Sequence, residues 1–284
     1  MKSQMQASLF NEYLLAENDD WSICLEKSFA VLRTSWESEW VGLPYLLSRC
    51  VDFLNLSKNL SSDASQMLLT AKAIAERIEF QYSQSSVEAE PKYHNRLHTA
   101  DVLTSLSILI CIQSKIQGDL YKDWIACALL GAIAHDFEHS GKVNQFESEI
   151  ESNTMNQLHP FLLTHQVPSH WCKALECAIL RSDFALVQKN HERVKDKKFQ
   201  CDQNWLNVYL NEADVMASAT TMFGPQLGNS LAQEWKMINF SAHQTVSTPI
   251  GRKAFLKQLV FSSEASRHLQ INSKIALELS NLAQ

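Results

Sequence analysis

A chain of 284 residues with 45% hydrophobic and 20% charged content can bury one substantial core, and its net charge of −6 excludes a broad basic face for nucleic acid. Seven glycines and six prolines against abundant Leu, Ala, Ser, Glu and Lys favour long helices over a turn-rich β architecture, so the expected fold is all-α. Seven scattered cysteines without a C-x-x-C pair point to reduced thiols and a cytoplasmic setting, and neither an apolar leader nor an uninterrupted apolar run of ~18 residues is found.

From about Trp21 to Ile78 apolar residues recur at helical spacing, as in Leu43, Leu46, Leu47, Cys50, Val51 and Leu54, which predicts packing helices. The polar stretch from Gln81 to Lys92 reads as a loop, because Pro91 is unsuited to a helix interior. Asp101 to Ile112 and Asp123 to Ala134 are apolar enough to be largely buried helices, and the second runs directly into His135-Asp136. The lysine-rich segment Lys189 to Lys198 reads as a solvated loop rather than a phosphate site. The expected organisation is a helical part over residues 1–80 packed on a catalytic core over 81–284, together forming one continuous domain.

Three segments supply metal-ligand types: His94 to His98, His135 to His139, and Glu212-Ala213-Asp214. A mixed set of imidazole and carboxylate suits Zn²⁺, Mn²⁺ or Fe²⁺ beside Mg²⁺. An ionised Asp136 at the end of a very apolar helix is costly to bury unless it is paired or coordinated, which favours a metal. Asp214 is the expected closing carboxylate, with Glu212 as the alternative. No nucleophile-elbow motif occurs and the cysteines lie mostly in apolar stretches, so neither a serine nor a cysteine nucleophile is favoured.

The order His, His-Asp, Asp is that of the HD superfamily of metal-dependent phosphohydrolases. Tyr93-His94-Asn95-Arg96-Leu97-His98-Thr99-Ala100-Asp101-Val102 resembles the Y-H-N-x-x-H-x-x-D-V signature of 3′,5′-cyclic nucleotide phosphodiesterases. His135-Asp136-Phe137-Glu138-His139-Ser140-Gly141, followed by Asn144-Gln145-Phe146, resembles their H-D-x-D-H-P-G-x-x-N-x-F signature, with Glu138 and Ser140 replacing the usual Asp and Pro. The resemblance runs from about Tyr93 to Phe261 and implies a compact multi-helix catalytic domain of a divergent branch.

By position it implies that His98, His135, Asp136 and Asp214 hold a first metal, that Asp136 bridges to a second, and that His94 is the general acid. His139 and Asn95 then support the second metal or its waters, and two divalent ions are expected, Zn²⁺ and Mg²⁺ with Mn²⁺ or Fe²⁺ as alternatives. The acidic residue usual after the second signature has three candidates here, Glu147, Glu149 and Glu151. Gln258 and Phe261 have the spacing of the family's Q-x-G-F, in which glutamine reads the base and phenylalanine stacks on it.

The implied reaction is hydrolysis of a small-molecule cyclic nucleotide to the 5′-nucleotide by a metal-bridged hydroxide. Two rival readings are an HD-type phosphohydrolase acting on another nucleotide, such as a nucleoside monophosphate, or on another phosphate ester, and a metal- and nucleotide-binding sensor without turnover. Retention of His94, His98, His135, Asp136 and Asp214 argues against the sensor.

Overall fold

The computed structural model describes residues 14–16, 20–83, 90–236 and 240–282. Among them all regular structure is helical: α1 (Trp21–Ser38), α2 (Leu43–Phe53), α3 (Ser62–Ser83), α4 (Arg96–Gln117), α5 (Lys122–Ala134), α6 (Glu149–Thr164) and α7 (Ser169–Leu180), then α8 (Val187–Val194), α9 (Gln203–Ala219), α10 (Gly224–Trp235), α11 (Phe240–Val246), α12 (Pro249–Gln258), α13 (Glu264–His268) and α14 (Ile271–Asn281). The all-α expectation holds.

Two helices form the centre. In α5 every residue from Asp123 to Ala134 is buried, and in α4 so is every residue from His98 to Ile110. A helix apolar on all sides needs neighbours on all sides: α4 packs against α1, α2, α5, α9 and α13, and α5 against α3, α7 and α9. Arg96–Gln117 also has the length and hydropathy to cross a membrane, but 83% of that window is buried inside the molecule. Its apolar surface is therefore used by the core.

The expected helices between Trp21 and Ile78 are α1, α2 and α3, and Leu43, Leu46, Leu47 and Cys50 make the buried stripe of α2. They are fastened to the core by buried charge. Arg33 on α1 grips Asp101 on α4 with two hydrogen bonds of 2.9 and 2.8 Å, and its guanidinium lies 4.2 Å from the Phe223 ring centroid. Removing one member of such a buried pair typically costs about 3–5 kcal/mol, because the other is left desolvated and alone. Arg96, at the first turn of α4, bonds Glu79 on α3 at 2.6 Å and Glu90 at 2.8 Å.

Two loop assignments need correction. Gln81 to Ser83 continue α3, residues 84–89 lie outside the described residues, and Glu90 is buried as the Arg96 partner. The expected loop from Lys189 is helical as far as Val194: Val187, Asn190, His191 and Val194 are buried, an i, i+3, i+4, i+7 stripe that outweighs the charges on the opposite face.

Candidate metal centre and cleft

Asn95 starts α4 as its N-cap: its side chain accepts from the His98 backbone N–H at 3.0 Å, and its amide donates to the Lys92 carbonyl at 3.2 Å. Both polar ends are thus held by local backbone, and the cap sets His98 one turn into the helix. At the far end of α5, His135 ends the helix and its Nδ1 lies 3.0 Å from the Ala132 carbonyl. A carbonyl can only accept, so Nδ1 carries a proton and Nε2 is the ring nitrogen left to face the cluster. The chain then turns sharply through Glu138, which has φ 58°, before His139.

Around one point, His98 Nε2 lies 3.2 Å from Asp136 Oδ2 and 3.1 Å from Asp214 Oδ1, while His135 Nε2 lies 3.2 and 3.7 Å from the same two oxygens. The two Nε2 atoms are 3.3 Å apart. The histidines are buried and the carboxylates lie at the edge, with 19% and 25% of their side chains exposed. Burial alone would lower the His98 imidazole, but hydrogen bonds to Asp136 and Asp214 outweigh it and hold it up at about 9. His135 is raised in the same way, while both carboxylates are lowered despite their burial. The donors demand positive charge at their centre. Two imidazoles and two carboxylates, one histidine already oriented by a backbone carbonyl, fit a borderline divalent cation.

Beside this cluster, Glu234 near the end of α10 accepts from His94 Nδ1 at 2.5 Å and from the backbone N–H groups of Tyr93 and His94 at 2.7 and 3.0 Å. These bonds lower the Glu234 carboxyl although burial opposes it. His139 stacks on His94 with ring centroids 3.8 Å apart. Its Nδ1 accepts from the Gly141 N–H at 3.0 Å, and burial together with the His94 charge lowers it to about 4, so it stays neutral. Gly141 itself has φ 70°, which glycine tolerates best.

A cleft of about 350 Å³ opens over both groups, lined by His94, Asp136, His139 and Asp214 and, further out, by Glu151, Asp183, Phe184, Trp235 and Phe255. Of the three acidic candidates, only Glu151 lines it. Burial raises its carboxyl, with Asp183 and Asp136 adding, and Asn144 donates to it at 2.9 Å. Glu149 instead accepts from the Gln145 N–H, and Glu147 forms an exposed pair with Lys189. Glu212 is turned away from the cluster: it accepts from the Ser262 and Ser263 N–H groups and the Ser263 hydroxyl at 2.6, 2.7 and 2.5 Å.

The expected base-binding pair is not brought to the cleft. Gln258 is exposed at the end of α12 and Phe261 is buried in the hydrophobic core. α12 turns Phe255 inward instead, and that ring stacks on Phe184 at 6.2 Å with 20° between the planes. Sequence reading also missed Glu234, since it sits 140 residues from His94 within an ordinary amphipathic helix.

Fold and site define a helical protein with an HD-type His, His-Asp, Asp cluster. Residues 93–160 match the profile of the family described as 3′5′-cyclic nucleotide phosphodiesterase. The chain is similar to the dual specificity calcium/calmodulin-dependent 3′,5′-cyclic nucleotide phosphodiesterase 1B of Bos taurus, 24% identical over 119 residues, which is 42% of this chain and 17% of that protein. It is also similar to the corresponding phosphodiesterase 1 of Drosophila melanogaster, 21% identical over 146 residues, 51% of this chain and 15% of that one. The aligned part is thus under a fifth of the length of these curated relatives.

Among solved structures, the phosphodiesterase domain of the RhoPDE fusion protein from the choanoflagellate Salpingoeca rosetta superposes with a TM-score of 0.56 at 14% identity, covering 98% of this chain and 92% of that one. Yeast caPDE2 in complex with IBMX gives 0.55 at 13%, covering 98% and 76%. The chain therefore resembles phosphodiesterase catalytic domains in fold over nearly its whole length and in sequence over its signature segment, as a divergent relative.

Proposed function

We propose that this protein hydrolyses a 3′,5′-cyclic nucleotide to the 5′-nucleotide. The observation that carries this reading is the hydrogen-bonded His94 and Glu234 pair beside the cluster of His98, His135, Asp136 and Asp214, both facing one cleft. His98, His135, Asp136 and Asp214 would hold a first divalent cation, Zn²⁺ on the donor set, and Asp136 with Glu151 would serve a second, more hydrated one, Mg²⁺ or Mn²⁺. When bound, such ions supply a water made acidic enough to attack phosphorus and the positive charge that the phosphate oxygens need.

The chain's own residues do the rest. Water oxygen bonds to phosphorus as the P–O3′ bond breaks, the leaving O3′ takes a proton from the His94 imidazole, and the proton lost by the water passes to solvent, from which His94 is reprotonated. Glu234 accepts from Nδ1 of that ring and so fixes its tautomer and orientation. His139, neutral and stacked against it, fixes the ring plane without adding charge. Phe184 and Phe255 offer the flat apolar wall on which a nucleobase can stack, the role first expected of Phe261. No disulfide joins the seven cysteines among the described residues, which suits a reducing, cytoplasmic setting.

The test is hydrolysis of a panel of cyclic mononucleotides, cyclic dinucleotides and phosphomonoesters, with metal content measured on the same sample. Turnover of cyclic mononucleotides above the other classes is the expected result. A second reading, hydrolysis of another phosphate ester at the same cluster, is favoured by one observation: Gln258 does not line the cleft. Preference for a phosphomonoester would establish it.

A further inference from the structure

Four carboxylates line the cleft, those of Asp136, Glu151, Asp183 and Asp214, and Lys142 is the single lysine or arginine among the described residues that line it. Its backbone is pinned. The preceding Gly141 donates its N–H to His139, and a Cβ on that glycine would already touch the Glu234 side chain at 3.5 Å. The stem of Lys142 therefore leaves from a fixed point next to the His94, His139 and Glu234 group. Nevertheless its ammonium makes no ion pair or hydrogen bond with a described residue, although carboxylates surround the cleft. Asp183 is occupied by the Ser148 and Ala185 N–H groups, and Glu151 by Asn144.

An uncommitted cation at the mouth of an acidic cleft is suited to an anion arriving from solvent. We propose that Lys142 captures the phosphate of the incoming substrate and sets affinity for anionic over neutral ligands, a role that rests on the proposed phosphodiester hydrolysis. The ammonium is a compact point charge on a flexible four-carbon stem, able to follow a phosphate from the rim inward. Its contribution is to encounter and binding rather than to bond breaking, so it acts on KM and on the salt dependence of kcat/KM.

The experiment compares wild type with Lys142→Gln, Lys142→Glu and Lys142→Arg in steady-state hydrolysis of a cyclic mononucleotide at several ionic strengths, with titration of AMP into each metal-loaded protein. Lys142→Gln is expected to raise KM roughly 3–10-fold with kcat within about twofold, and Lys142→Glu to raise it further. Both flatten the fall of kcat/KM with salt, and Lys142→Arg restores it; a purely structural residue would not move that slope. AMP affinity falls in parallel. Unchanged KM, salt slope and AMP affinity in Lys142→Glu would overturn the inference. A wild type that binds AMP through Lys142 but turns over no cyclic nucleotide would instead sink the reading of the reaction.

Discussion

Glu212 and Asp214 lie two residues apart on α9 and meet opposite surroundings. Two steps around an α-helix turn the side chain through about 200°, so the two carboxylates leave on opposite faces. Asp214 reaches two histidines at the cleft, whose hydrogen bonds and charge overcome burial and lower its carboxyl. Glu212 is fully buried and finds only neutral donors, the Ser262 and Ser263 amides and a serine hydroxyl, so burial prevails and pushes it up to about 7. Burial alone thus does not mark a functional carboxylate. What differs is whether the partners carry positive charge, and hence whether the group is suited to hold a cation or to fasten the C-terminal segment.

The sharpest way to break this contrast is to remove each carboxylate in turn. Asp214→Ala is expected to lower turnover by about 10³-fold or more and to empty the metal centre, because the first cation loses an anionic ligand. Metal analysis, activity and circular dichroism on one sample check this, and full metal occupancy with intact turnover would reject the site. His94→Asn comes next, with a loss of about 10²–10⁴-fold, the usual range for a positioned acid, and with metal retained. A p-nitrophenyl phosphodiester, whose leaving group needs no proton, should be hydrolysed with a much smaller loss. Equal losses on both substrates would assign His94 to scaffolding.

Glu212→Ala acts on stability instead. It strands buried amide and hydroxyl donors and is expected to cost about 2–4 kcal/mol in denaturant unfolding, while the protein that remains folded keeps its turnover within about twofold. A catalytic defect without a stability loss would show that the two faces of α9 had been wrongly separated.

The smallest effect belongs to His191, whose Nδ1 bonds the Ser262 hydroxyl at 2.8 Å and whose buried Nε2 has no partner. Burial lowers it from 6.5 to about 4 in the folded protein. Between those values the unfolded chain binds the extra proton, so this contribution to stability is complete above 6.5 and is lost as pH falls toward 4. His191→Gln should flatten the acid limb of a Tm-versus-pH curve over that window, a change of about 1–3 kcal/mol at most. An unaltered acid limb would show that other groups govern acid unfolding.

Much of the fold was legible because the information is local. Helical periodicity picked out α2, and the unbroken apolar character of Asp123 to Ala134 marked α5 as a largely buried helix. The convergence of His98, His135, Asp136 and Asp214 could be anticipated because each lies in a short motif whose order carries meaning. Periodicity failed where charge disguised it, at α8, whose buried stripe of four residues sits among Lys189, Glu192 and Arg193.

What the chain alone left open was decided by contacts between distant segments. Glu234 meets His94 only because α10 is folded back beside the start of α4, and nothing near residue 234 announces it. Glu151 is singled out from Glu147 and Glu149 by the direction in which α6 leaves its first turn, at a spacing of two residues that sequence reads as equivalent. The aromatic wall passes to Phe184 and Phe255 because α12 ends at Gln258 and Phe261 is drawn into the core. Local pattern fixes what an element is and which residues ride on it. The rotation and docking of that element depend on every partner at once, and only the tertiary structure supplies them.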